Sequence, residues 1–461
     1  MTTAVAQPAS TPLLPPRSAL SEQARGLWWW VLCWLVLPNL PFLPITLMGG
    51  PPRYPDVIAC GLVGFLVRRW SYPLRLAAFV ALMAYLVFAF IARMFNMAIT
   101  MILSVAGLVF DMNPAASPEY VVGALAAILV VATGAWLLRK PTRFREPRLL
   151  IAAVAATVLL GGADYLWSRD TMGAYARLPS ASAPFSSATG QSGFAGLADG
   201  RTNLMIVVVE AMGEPLDPRL RRKLDGYWMR PDLAARFEMR RGSTPYYGST
   251  TSGELRELCG RWGTYPDVTV RWPGCLPAQL SGKGYQPVSY HAFEAGFFDR
   301  AAWYPRIGFE QSVWGEDMLK AGARLCPNVF PGACDRDVPR LIGQRLRAAA
   351  KPQFVYWLTL NSHLPTVEND ALRTRDCKET GEPLDSELPM VCRLFTIWRG
   401  TADALAKEVS RPDFPPTHIL IVGDHMPPFT HQKSRLLFDS QAVPWVLLKW
   451  RGTPAAQPSG R

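Results

Sequence analysis

The stretch "HILIVGDHMPPF", residues 418–429, runs apolar as far as Gly423 and then sets an acid and an imidazole side by side. An unbroken apolar run, rather than an alternating one, marks a strand buried on both faces, as in a parallel sheet covered by helices. "NLMIVVVE" (203–210) and "FVYWLTLNSH" (354–363) repeat the pattern, "YQPVSYHAF" (285–293) repeats it more weakly, and "VPWVLLKW" (443–450) reads as a late strand. Between them lie "PRLIGQRLRAAA" (339–350) and "RGTADALAKEVS" (399–410), whose apolar residues recur at helical spacing. Strands alternating with helices predict an α/β domain with a largely parallel central sheet flanked by helices.

Ligand sites in open α/β sheets form beyond the carboxyl ends of the strands. Glu210 ends one run, His291 falls late in the weaker run, His363 ends another, and Asp424 and His425 close the opening stretch. With His431, four of the five histidines fall in or near the expected crevice. His418 stands at the start of its strand and reads as structural. Singly, each residue has a commonplace explanation: a cap, a hydrogen-bonded core histidine, a turn. Their coincidence points to a divalent cation such as Zn²⁺ or Mn²⁺, which can activate a hydroxyl or polarise a phosphoryl oxygen. Hydroxyls are supplied by "YYGSTTSGELRELCG" (246–260), a helix start with Glu254 near its first turn. It fits a capping box and equally an anion site at a helix N-terminus. Spacing alone does not choose among its hydroxyls.

Upstream the composition changes. Residues 27–166 are dominated by Leu, Val, Ala, Ile, Phe and Trp, with charges between the runs. A membrane-crossing helix needs roughly 20 apolar residues, so five spans are expected, at 27–48, 55–70, 73–93, 119–138 and 148–167. "NMAITMILSVAGLVF" (96–110) reads either as a sixth span or as an interfacial helix. Arg17 with Arg25, Arg68 with Arg69, and "RKPTRFREPR" (139–148) all fall on the cytoplasmic side only if 96–110 does not cross. The N-terminus is then inside and everything after Trp167 outside. The first apolar segment lacks a small-residue cleavage pattern, so no cleavable signal is expected. The formal net charge of +12 is read as topology signal and attraction to an anionic membrane surface, not as nucleic-acid binding.

The expected organisation is a cytoplasmic tail (1–26), a five-helix membrane domain (27–167), a Ser-, Ala- and Gly-rich linker (168–202) and an exported domain (203–461). Cys33 and Cys60 lie in the membrane block, and the other six cysteines all lie in the exported domain. An even number in an oxidising compartment predicts three disulfides. Sequence-adjacent pairing is expected: Cys259–Cys275, Cys326–Cys334 and Cys377–Cys392.

The set "VVVEAMG", "GSTTSGELRELCG", "LNSHLPT" and "IVGDHMPPF" resembles the sulfatase-like branch of the alkaline phosphatase superfamily. Within it the chain is similar to the membrane-bound head-group transferases: lipoteichoic acid synthases, phosphoglycerol transferases of periplasmic glucans and phosphoethanolamine transferases of lipid A. The resemblance implies a metal held by Glu210, Thr250, Asp424 and His425, with Thr250 as nucleophile. Thr250 is preferred to Thr251 because it stands four residues before Glu254 and nine before Cys259, as the family's threonine does. His291 and Arg300 match residues that hold the phosphate and head group, His363 one that assists proton transfer, and Phe298 stands where a tryptophan is usual.

The implied activity moves a phospholipid head group from phosphatidylglycerol or phosphatidylethanolamine, through a phosphothreonine, to a hydroxyl of a periplasmic glycan or lipopolysaccharide, releasing diacylglycerol. "GELRELCG" and "LNSHLPT" look closer to the phosphoglycerol branch. The implied location is the inner membrane, multi-pass, with the C-terminal domain in the periplasm. A sulfatase-like hydrolase or phosphodiesterase is the alternative, although no "C/S-x-P-x-R" pattern follows Ser249 and Thr250. A non-catalytic, glycan-binding membrane protein is the other.

Overall fold

The computed structural model describes residues 17–104, 112–169, 171–175, 177, 179 and 183–452. Nine strands are described: β1 (Asn203–Val209), β2 (Phe237–Pro245), β3 (Gln286–His291), β4 (Gln311–Trp314), β5 (Leu325–Cys326), β6 (Gly332–Ala333), β7 (Gln353–Leu358), β8 (Thr417–Gly423) and β9 (Ala442–Trp450). Seven form one sheet in the order β2-β9-β8-β1-β7-β3-β4. β8, β1, β7, β3 and β4 run parallel. β9 and β2 add an antiparallel edge. Every residue of β1, β7 and β8 is buried, as unbroken apolar runs require of strands covered on both faces. Helices such as Val338–Ala348 and Pro389–Val409 supply the cover, burying the apolar stripes seen in the sequence.

Register sets the site. Val209 pairs with Gly423, so Glu210 and Asp424 leave the sheet at the same level. Leu358 pairs with Val208 on one side and His291 on the other. Four strand ends therefore come level along one edge. Gly423 is required there by a close approach: a Cβ added to it would collide with the Met212 carbonyl oxygen. Ala211, in the turn between, sits in the left-handed region at φ 55°.

The chain divides into two compact units, one of Met1–Thr46, Pro52–Val87 and Gly123–Arg169, the other of Leu47–Pro51, Phe88–Val122 and Asp170–Arg461. The sheet lies in the second. Among the described residues three helices are long and apolar enough to cross a membrane: Tyr72–Met94, Pro118–Leu137 and Pro147–Ser168. The expected first span is a pair, Ser21–Val36 and Leu40–Leu47, bent by 42° at a break containing Pro38. The expected second span is the 14-residue apolar helix Tyr54–Val67. In the ambiguous stretch, Ile99–Ser104 is a helix of only 6 residues, and Met101 is buried in the core of the second unit. Residues 105–111 lie outside the described residues. Within the stretch read as a linker, Ala188 and Phe194 are fully buried in that same core.

The three disulfides pair as expected, Cys259–Cys275, Cys326–Cys334 and Cys377–Cys392, with Cys33 and Cys60 free. Gly423→Ala should destabilise the protein by about 1–3 kcal/mol, the usual range for overpacking a filled core. Chemical denaturation of the variant reads this, and an unchanged midpoint would contradict the close approach.

Candidate functional site

Glu210, Asp424 and His425 are buried, and one ligand atom from each lies within 4.8 Å of the others. They form the one such cluster among the described residues. His425 Nε2 is 3.5 Å from Glu210 Oε1 and 3.3 Å from Asp424 Oδ2. Both strand ends are pinned through the backbone. The Glu210 amide donates to Thr359 Oγ1 at 2.9 Å, and Ser362 Oγ donates to the Glu210 carbonyl at 2.7 Å. Asp424 Oδ1 accepts from the amides of Ala211 and His425, at 2.8 and 2.7 Å.

The hydroxyl-rich stretch is a helix, Thr250–Cys259, whose first residue points its hydroxyl into this cluster. Thr250 Oγ1 lies 3.1 Å from Glu210 Oε2 and 3.3 Å from His425 Nε2. Thr251 Oγ1 is buried without a partner, so geometry separates the two threonines. Gly253 allows the approach: a Cβ there would lie 3.0 Å from the Asp424 Cβ. The expected capping box is absent, because Ser249 at the N-cap makes no side-chain cap bond and Glu254 is engaged elsewhere. Its carboxylate accepts from Arg300 Nη2 at 2.9 Å, from Tyr356 Oη at 3.1 Å and from Tyr304 Oη.

Arg300 therefore does not stand free. Two guanidinium nitrogens serve Glu254, and Nη1 donates to the Phe297 carbonyl at 3.0 Å. It is held one helical turn from Thr250, since Glu254 is four residues on. The preceding Phe298 and Asp299 both have positive φ, 55° and 51°, a strained conformation for side-chain-bearing residues. His363 Nδ1 donates to the Leu364 carbonyl at 2.8 Å, leaving Nε2 uncommitted. His291 Nδ1 donates to the Leu358 carbonyl at 3.4 Å, and its Nε2 is buried without a partner. Burial lowers the pKa of both rings, so both are neutral near pH 7. Neither ring nor Arg300 hydrogen-bonds to the Thr250 cluster. His431 stands at the N-cap of the short helix Gln432–Arg435.

Two buried groups went unread in the sequence. Arg256 donates to the carbonyls of Gly423 and Asp424, at 2.7 and 3.1 Å, and to Glu257. Asp335 accepts from the amides of Leu360 and Asn361, at 2.9 and 2.7 Å, and so holds the loop that carries His363. Burial raises its pKa to about 7 despite those amides.

The cluster fits a cation. A carbonyl only accepts, so His425 Nδ1 must donate to the Met426 oxygen 2.9 Å away. Nε2 then directs a lone pair at two carboxylates and a hydroxyl. Asp424 Oδ2 is buried and has no hydrogen-bond donor. Acceptors facing acceptors in a buried site need a proton or a metal between them. The protein's own remedy is a proton. Burial opposes the charge on His425, yet Asp424 and Glu210 push its pKa up to about 9. Burial and the Glu210 charge raise that of Asp424. Burial works against Glu210, but His363 and His425 outweigh it and hold it low. The nitrogen-and-carboxylate set suits Zn²⁺ or Mn²⁺.

Residues 234–441 match the sulfatase family model. Thr250, Asp424 and His425 lie inside that match and Glu210 lies before it. No curated protein matches the chain. Among solved structures, the integral membrane lipooligosaccharide phosphoethanolamine transferase A of Neisseria meningitidis is 13% identical, with a TM-score of 0.50 over 93% of this chain and 89% of that one. Both have an apolar helical N-terminal region followed by the α/β domain. The lipoteichoic acid synthase LtaP of Listeria monocytogenes is 16% identical over 55% of this chain, with a TM-score of 0.42. The Streptococcus pyogenes phosphoglycerol transferase GacH is 16% identical over 56%, with a TM-score of 0.38. The match spans 66% of the LtaP chain and 73% of the GacH chain.

Two outcomes are expected. Zn²⁺ or Mn²⁺ affinity should rise with pH between about 6 and 9, because the cation displaces protons held by His425 and Asp424. Competition titration with a chelating dye reads this, and a flat profile would contradict the assignment. Glu254→Gln leaves the buried Arg300 charge without its counter-ion and should cost about 3–5 kcal/mol of stability, read by denaturation.

Proposed function

We propose that the protein is a metal-dependent transferase that moves a phospholipid head group, phosphoglycerol or phosphoethanolamine, to a hydroxyl of a periplasmic glycan or lipopolysaccharide. One observation carries the reading: the Thr250 hydroxyl, at a helix N-terminus, lies 3.1 Å from Glu210 and 3.3 Å from His425. Glu210, Thr250, Asp424 and His425 would hold the cation, Zn²⁺ or Mn²⁺. Bound there, it would favour the Thr250 alkoxide and offset negative charge on phosphoryl oxygens.

In the first half-reaction Thr250 Oγ attacks the lipid phosphorus. The bond to the diacylglycerol oxygen breaks, and the proton lost by Thr250 balances the one that oxygen gains. In the second half an acceptor hydroxyl attacks the phosphothreonine, Thr250 leaves and takes back a proton. His363 is the candidate relay, neutral and with Nε2 free. The unpaired Nε2 of His291 and the remaining N–H groups of Arg300 are the candidate contacts for phosphate and head group. Glu254 is the group that orients Arg300.

A lipid donor suits the surroundings. Met94 ends a helix apolar enough to cross a membrane, and it lines a small cavity with Phe95, Asn96 and His425. Three disulfides favour an oxidising compartment. The location that follows is the inner membrane, multi-pass, with the α/β unit in the periplasm.

The test is intact mass of the full-length protein after incubation with labelled phosphatidylglycerol or phosphatidylethanolamine. A gain equal to one phosphorylated head group, mapped to Thr250 and lost in Thr250→Ala, is expected. Turnover in that variant should fall by at least about a thousandfold. Sulfate release without diacylglycerol would replace this reading with the hydrolase.

A further inference from the structure

We propose that the surface beside the Thr250 helix is a carbohydrate platform that seats the acceptor glycan, an inference that rests on the transferase reading above. Three aromatic rings meet there. Trp262 lies edge-on to Tyr247 with centroids 4.8 Å apart, and edge-on to Phe185 at 5.1 Å. The Arg177 guanidinium lies 5.0 Å from the Tyr247 centroid. Phe185 is 41% exposed, and Tyr247, Trp262 and Arg177 are half-buried. The Tyr247 hydroxyl makes no hydrogen bond to any described residue. Edge-on contacts fix the ring planes while occupying at most one face of each pair's partner.

The platform adjoins the reaction site through recorded contacts. Asn96 lines the cavity with His425, and its side-chain oxygen accepts from the Arg177 amide at 3.0 Å. The Gly248 amide donates to the Arg177 carbonyl at 2.7 Å. Tyr247 is three residues before Thr250, which limits the separation of their backbones to about 11 Å. That is roughly one or two sugar units along a bound glycan.

The residue types select the ligand class. A pyranose offers an apolar C–H face that packs on an aromatic ring and a rim of hydroxyls that pair with a guanidinium and a phenol. The Arg177 guanidinium already donates from Nη2 to the Tyr246 carbonyl at 3.2 Å, and a purely apolar acyl chain would satisfy the rings while covering the Tyr247 hydroxyl without giving it a partner. Polar and aromatic groups interleaved beside a nucleophile that needs a hydroxyl acceptor therefore fit a sugar.

The experiment measures binding of the full-length, detergent-solubilised protein to an array of neutral and acidic envelope oligosaccharides. The native protein should bind at least one class, Trp262→Ala should weaken that binding at least tenfold, and Trp262→Phe should weaken it less. Phe185→Ala, at an exposed position, provides a variant whose folding is not at stake and should weaken binding several-fold. A native protein that retains no oligosaccharide, or a Phe185→Ala protein that binds as the native one does, overturns the proposal. Phosphothreonine formation with lipid alone is scored separately. Its absence would sink the transferase reading, whereas loss of sugar binding with phosphothreonine intact would sink only the platform.

Discussion

The structure is organised around a crowd of hydrogen-bond acceptors with too few donors among them. Glu210, Asp424 and Nε2 of His425 converge within a buried space, where the Thr250 hydroxyl and a proton held on His425 are the donors available without a cation. Such a cluster is costly in isolation, since buried carboxylates repel one another and lose their water. It persists because the sheet leaves it no other geometry. β1 and β8 are locked in register along their whole length, and the residues that follow Val209 and Gly423 have nowhere else to go.

The remaining polar groups reinforce that constraint. On the Thr250 helix, Thr250, Gly253 and Arg256 recur at three-residue intervals. The first reaches the cluster, the second by lacking a Cβ leaves room for Asp424, and the third binds the carbonyls of Gly423 and Asp424. One helix thus carries the hydroxyl and fixes the strand end it faces. Glu257, beside Arg256, continues the chain outward by accepting from the amides of Ala188 and Thr189. On the opposite flank Asp335 holds the loop after β7, whose Thr359 and Ser362 grip the backbone of Glu210. Both faces of the cluster are therefore braced by buried charged groups whose hydrogen bonds run to backbone rather than to the reacting atoms.

This division explains what could be read from the chain and what could not. The parallel sheet was legible because β1, β7 and β8 carry unbroken apolar runs, and the Glu210, Asp424 and His425 set was legible because these residues stand one or two positions after such a run. Thr250 needed the family resemblance, since four hydroxyls begin that helix and only packing tells them apart. Glu254 read as a cap because an acid in a first turn usually is one. Its partners Arg300, Tyr304 and Tyr356 are 46 to 102 residues away. Arg256 went unread, because nothing local announces that its targets are two carbonyls at another strand's end. Ala188 and Phe194 sat in a stretch whose composition reads as linker, yet their burial depends on the fold alone. The first span was read as one segment, 27–48, and its bend went unread although Pro38 interrupts the apolar run.

The engagement of Arg300 changes how charge near the site should be understood. A guanidinium free in a crevice is a general anion trap. One whose Nε and Nη2 already serve Glu254, and whose Nη1 serves a carbonyl, offers only its remaining N–H groups in directions the ion pair dictates. Two neighbouring residues are held at positive φ to complete that arrangement. Because Glu254 lies one turn beyond Thr250 on the same helix, the Thr250 hydroxyl and the guanidinium are referenced to a single rigid element rather than to separate loops. In the proposed head-group transfer, positioning of this kind would favour a transition state with charge spread over equatorial oxygens, where small errors of placement cost more than an added charge would recover.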